Sequence, residues 1–125
     1  MHPLSIIELF LLFQIKHFVA DFPLQKPYQY LNKGKFLHPG GILHAAFHGA
    51  FTFGIVAAYT DPIMGVALGI LDMQIHYFID YFKVNINKKY GLTPTNSEYY
   101  WWLLGLDQFL HQLTYIGLIV LIYAK

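Results

Sequence analysis

The sequence predicts an all-α fold, an integral-membrane four-helix bundle built from two tandem helical hairpins. Three observations carry that prediction. Of 125 residues, 56% are hydrophobic and only 12% are charged, about half the charge of a soluble domain of this size. The apolar residues fall into four runs near the ~20 residues that cross a bilayer, separated by segments rich in Pro, Gly and Lys. Finally, His17-Phe18-Val19-Ala20-Asp21-Phe22 reappears as His76-Tyr77-Phe78-Ile79-Asp80-Tyr81. Each copy is followed by a lysine-bearing loop and an apolar run that opens with a polar pair ending in His48 or His111. Two parallel copies of one hairpin would be related by an axis along the membrane normal.

The first span, about 4–20, is interrupted by Glu8, Gln14 and Lys16, ends in His17 and Asp21, and is closed by Pro23. It lacks the basic start and small-residue cleavage site of a signal peptide, so it reads as a retained span. The stretch that follows contains Pro27, Pro39, Lys26, Lys33 and Lys35 and reads as a loop, with Tyr28, Tyr30 and Leu31 suited to the membrane interface. A second span, about 42–59, opens with His44 and His48. Thr60-Asp61-Pro62 forms a tight stop and restart, in which Asp61 suits the cap and Pro62 the first position of a third span, about 63–82. Gly65 and Gly69 on that span allow close approach of a neighbouring helix. A second long loop carries Lys83, Lys88 and Lys89 and ends in the capping cluster Thr95-Asn96-Ser97. Tyr99, Tyr100, Trp101 and Trp102 read as an interfacial belt ahead of the fourth span, about 103–123. The length fits a single transmembrane domain over 1–125 without a separate soluble one.

The net charge of +1 comes from eight lysines, with no arginine, against seven acids. Nothing in this balance suggests nucleic-acid binding. Seven of the lysines lie in or beside the two long loops, while Asp61 and Lys125 fall on the other side. The positive-inside rule therefore places both long loops in the cytoplasm and both termini outside, with the lipid bilayer as the partner. Cysteine is absent, which excludes disulfides and thiolate ligands and leaves imidazole and carboxylate as metal donors.

Those donors come in pairs: His17 with Asp21 ending the first span, His44 with His48 opening the second, His76 with Asp80 ending the third, and Asp107 with His111 opening the fourth. In an up-down-up-down bundle the four places share one level, toward the cytoplasmic leaflet. Random scattering of the fourteen His and acidic residues gives about 1.5 pairs at i, i+4, whereas the chain has five, counting Asp72 with His76. Asp72, His76 and Asp80 share one helix face, and Asp72 reaches deeper. Ionisable groups at such depth are costly and mark function.

Imidazole and carboxylate on facing helices form a ligand set for a divalent transition metal, zinc first, with iron or manganese as alternatives. The expected ligands are His17, Asp21, His44, His48, His76, Asp80, Asp107 and His111, enough for two ions. Asp72 and Lys83 are the expected catalytic residues, Asp72 as general base or further ligand and Lys83 as a substrate-orienting group beside Gln25 and Gln108. Two ions can activate a bridged water and clamp a phosphoryl oxygen. The expected function is metal-dependent hydrolysis of a lipid-linked or phosphate-bearing substrate at the cytoplasmic leaflet.

Plainer readings exist. The His–Asp pairs can be interhelical hydrogen bonds in a non-catalytic structural or regulatory membrane protein. The loop lysines can be an orientation signal lying against headgroups, and His2 and His38 stand outside the pattern. The ladder from Asp72 to Asp80 also suits passage of a metal ion or a proton. Passage needs polar groups through the outer half, where the sequence offers Glu8, Thr52, Gln112 and Thr114.

With HFVADFPLQK, HYFIDYFK and DQFLH laid out, nearly the whole chain resembles a family of small integral-membrane proteins catalogued as domain of unknown function 3307. The matching positions are His17, Asp21, Gln25, His44, His76, Asp80, Lys83, Asp107, Gln108 and His111. The resemblance implies a bacterial or phage inner-membrane protein and supplies no reaction. In residue types alone the chain is also similar to membrane-bound metal-dependent hydrolases.

Overall fold

The computed structural model describes the backbone over residues 3–124 and side chains over 5–124. His2 and Lys125 lie outside the described residues. The described chain forms five α-helices: α1 (Pro3–Asp21), α2 (Pro27–Tyr30), α3 (Pro39–Tyr59), α4 (Pro62–Tyr90) and α5 (Glu98–Ala124). Of these, α3, α4 and α5 are long and apolar enough to cross a membrane, and α1 occupies the predicted first span.

The described residues hold one helix more than the expected four. The extra element, α2, is one turn inside the stretch read as loop, where Pro27 takes the first helical position after an extended Lys26. A single turn has no apolar periodicity to betray it. Boundaries differ too. α4 continues eight residues past Phe82, roughly 12 Å, because Lys83 to Tyr90 contains no helix breaker and its polar residues tolerate a helix. It ends at Gly91, whose left-handed φ of 61° closes the last turn onto Asn87 and Lys88. α5 likewise begins at Glu98, so the aromatic belt is helical. Ser97 Oγ accepts from Tyr99 N at 3.1 Å, and Trp101 Nε1 donates to Pro94 O at 2.9 Å, tying the belt to the preceding loop. The predicted cap at Asp61 is present: its Oδ1 accepts from Met64 N at 2.9 Å, with Pro62 in the first helical position.

α3 and α4 form the most extensive contact, α4 also packs on α5, and α1 packs on α3 and α5, so neighbouring long helices close a ring. Glycines set the α3/α4 distance. A methyl group on Gly49 would stand 2.8 Å from Gly69 O, and one on Gly69 would stand 2.8 Å from Gly49 O, so each backbone occupies the space of the other's missing side chain. Inside the ring the side chains segregate. Leu9, Phe13, Val56, Leu68, Leu118 and Ile122 make an apolar core at one end. Lys16, His17, His44, His48, His76, Asp80, Asp107 and His111 are buried toward the other. Large apolar residues such as Ile7, Leu11, Ile63, Phe109 and Val120 point outward, an arrangement suited to lipid contact.

Candidate metal centre

Four helices each deliver polar side chains to the buried end, because a spacing of four keeps both members of a pair on the inward face. Two groups of donor atoms result. Asp21, His44, His48 and His76 each present one donor atom within 4.8 Å of the others, and so do His76, Asp80 and His111. His76 belongs to both groups.

In the first group Asp21 Oδ1 lies 2.8 Å from His48 Nε2, 3.1 Å from His44 Nε2 and 3.9 Å from His76 Nε2. His44 Nε2 and His76 Nε2 face one another at 3.2 Å. Atoms bound tetrahedrally to zinc stand about 3.3–3.4 Å apart, given bonds of ~2.0–2.1 Å. The observed spacings, from 2.8 to 3.9 Å, bracket that value, so the donor set is of a size to hold a metal ion. In the second group Asp80 Oδ2 is 3.2 Å from His76 Nε2, and its Oδ1 is 3.2 Å from His111 Nε2. This is the two-imidazole, one-carboxylate combination that suits iron, manganese or zinc with open positions.

Surrounding side chains orient the rings. Gln29 Oε1 accepts from His44 Nδ1 at 3.2 Å, which leaves the Nε2 lone pair facing the site. The His76 ring is stacked between His48 and His111, at 3.6 and 4.0 Å between centroids. Its Nδ1 and that of His48 are buried without a hydrogen-bond partner.

Two expected ligands stand beside the groups rather than in them. His17 Nε2 donates to Gln108 Oε1 at 2.8 Å and lies 3.1 Å from Asp21 Oδ2, while its Nδ1 accepts from Tyr115 Oη at 2.7 Å. Both nitrogens are thus engaged. Asp107 Oδ1 lies 3.3 Å from His111 Nε2, and its Oδ2 accepts from Gln108 Nε2 at 2.9 Å. Of the two expected catalytic residues, Lys83 sits at the rim with Nζ 3.8 Å from Asp107 Oδ2. Asp72 is drawn away: its Oδ2 accepts from Lys16 Nζ at 2.7 Å and from Thr52 Oγ1 at 2.6 Å, forming a fully buried ion pair below the centre. Lys16, which the sequence shows only as an interruption of the first span, neutralises it.

Sequence reasoning also missed Gln29 and Tyr115, and it read Lys33, whose Nζ lies 3.2 Å from Asp80 Oδ2, as a loop lysine at the headgroups or on a basic rim rather than as a partner of Asp80. Gln29 belongs to a non-periodic segment and carries no sequence signal. Lys16 had one, being a lone cation in an apolar run at the depth of the lone deep acid.

Comparison with curated proteins and with solved structures returns no match. The family model described as "Protein of unknown function (DUF3307)" matches residues 9–125, taking in both donor groups and both copies of the repeat, and on that match the chain belongs to this family.

Proposed function

We propose that the chain is one transmembrane domain in which α1, α3, α4 and α5 all cross the bilayer as a four-helix bundle of two tandem hairpins. Its buried end holds a two-ion centre that hydrolyses a phosphate-bearing or lipid-linked substrate at the cytoplasmic leaflet. The observation that carries this reading is that two donor groups adjoin at His76: its Nε2 would hold one ion, and the Asp80 carboxylate, 3.4 Å from His44 Nε2 through Oδ2 and 3.2 Å from His111 Nε2 through Oδ1, reaches both groups and would serve a second. Asp21, His44, His48, Asp80 and His111 complete the ligand set. His17, Gln29 and Gln108 hold the ligands in place, and Asp107 beside His111 serves as the proton acceptor at the open side. Bound ions would acidify a water and offset charge building on a phosphoryl oxygen. Asp72 has no part in the chemistry in this reading, since Lys16 and Thr52 occupy its carboxylate. Catalysis is favoured over passage because Leu9, Phe13, Val56 and Leu118 close the interior beyond that ion pair.

Protein purified in detergent without chelator should carry one to two divalent ions per chain by elemental analysis and should cleave a chromogenic phosphate ester. Its His76→Ala variant should do neither. Metal-free wild type that cannot be reconstituted would overturn the metal centre. Loaded protein inert toward phosphate and carboxylate esters alike would overturn the hydrolase. Because imidazole must be deprotonated to bind a metal, loading should fall as the medium is acidified.

A further inference from the structure

Two cavities at the edge of the His/Asp cluster meet at a single side chain, Lys83. One is an apolar groove of about 430 Å³ between α4 and α5, walled by residues such as Ile75, Ile79, Phe82, Leu103 and Leu106, with Lys83 and Asp107 at its polar end. A second groove of about 630 Å³ continues it past Ile79 and Leu110 to Leu121. From Leu103 to Leu121 the pair runs roughly 27 Å along α5, close to the ~30 Å thickness of a bilayer's hydrocarbon core. The other cavity, about 550 Å³, is polar and lies where the loops meet α4. Lys33, Lys83 and Lys88 line it together with Gln25 and Asn87. Gln25 and Asn87 are the lining residues whose side-chain oxygens are buried with no hydrogen-bond donor.

These features ask for complementary chemistry. The three ammonium groups outnumber the two carboxylates beside them, Asp80 and Asp107, and so favour an anion; the two carbonyl oxygens call for hydroxyl donors, and the groove calls for a hydrocarbon chain. Any bilayer would fill the groove, so selectivity must come from the lysine-lined end. We infer that Lys33, Lys83, Lys88, Gln25 and Asn87 form a headgroup site for an anionic phospholipid whose headgroup bears hydroxyls. One acyl chain of that lipid lies in the α4/α5 groove and its phosphate sits beside Asp107 and Asp80. The inference names the substrate class of the centre proposed above and rests on that reading. Lys33 and Lys83, already beside Asp80 and Asp107, would hold the phosphate at the edge of the ligand set.

Native mass spectrometry of the detergent-released protein, titrated with phosphatidylglycerol, phosphatidylcholine or inorganic phosphate, tests the site. Metal content of each sample is measured separately. Phosphatidylglycerol should bind more tightly than phosphatidylcholine, and Lys33→Gln and Lys83→Gln should each weaken it about fivefold with the metal retained. Ile79→Trp, which fills the groove, should weaken the lipid but leave phosphate binding unchanged. Equal binding of the two lipids, or indifference to Lys83→Gln, would overturn the inference. So would inorganic phosphate displacing the lipid with no contribution from the groove. Selective lipid binding by a protein that takes up no metal would instead break the proposed centre and leave the lipid site standing.

Discussion

The two hairpin copies keep the same inner contacts and differ where they meet each other. In the first copy Asp21 receives His17 at 3.1 Å and His48 at 2.8 Å; in the second, Asp80 receives His76 and His111, each at 3.2 Å. One turn deeper the equivalence ends. Phe13 and Tyr115 stack at 5.3 Å across α1/α5, whereas their repeat partners Asp72 and Thr52 hydrogen-bond across α3/α4. Aromatic bulk fills one junction and facing glycines close the other. The consequence is visible in the rings: His76 lies 3.6 and 4.0 Å from His48 and His111, while His17 stands 5.9 and 5.8 Å from the same two. A duplicated scaffold has thus become an asymmetric site, with one histidine at its centre and its twin at the edge.

The sharpest way to break that comparison is to remove each twin. His76→Ala should abolish metal binding, since both donor groups lose a member, while His17→Ala should retain most of the metal by elemental analysis. Equal losses would mean that the site is symmetric after all. Next in size is the buried ion pair of Lys16 on α1 with Asp72 on α4, which has no counterpart in the repeat, since Ile75 stands where Lys16 would recur. Lys16→Met or Asp72→Leu alone leaves an uncompensated charge and should cost about 3–5 kcal/mol in stability. The double variant should recover a large part of this in thermal unfolding in detergent. A smaller effect distinguishes the glycines by sign. Gly49→Ala places a methyl against Gly69 O and should destabilise by about 1–3 kcal/mol. Gly117→Ala, which meets nothing within 4 Å, should gain up to ~1 kcal/mol from helix propensity. The smallest effect is that of Tyr115→Phe, which removes the hydroxyl on His17 Nδ1 and should cost about 1 kcal/mol with the metal unchanged.

The helical class, the Asp61 start of α4 and the Gly65/Gly69 face were legible because periodicity, capping chemistry and small-residue spacing are local signals. So was the convergence of Asp21, His44, His48, His76, Asp80 and His111, because pairs at a spacing of four on runs of matched length share a face and a depth. The one-turn α2 and the extension of α4 to Tyr90 were not, since a single turn is too short to show a period and polar residues suit loop and helix alike. Nor could the ladder on α4 reveal that Asp72 parts from His76. That depends on Lys16 and Thr52, which lie 56 and 20 residues away and reach Asp72 only through packing.

Anomalous scattering at the absorption edge of the bound metal, recorded from crystals grown without chelator, addresses the shared histidine most directly. One peak is expected among Asp21, His44, His48 and His76, and a second against Asp80 and His111, each about 2.0–2.2 Å from its own donor atoms, with His76 Nε2 bound to one of the two. A metal-bearing crystal with density only at His38 or other surface groups, and none touching His76, would contradict the centre proposed for this protein.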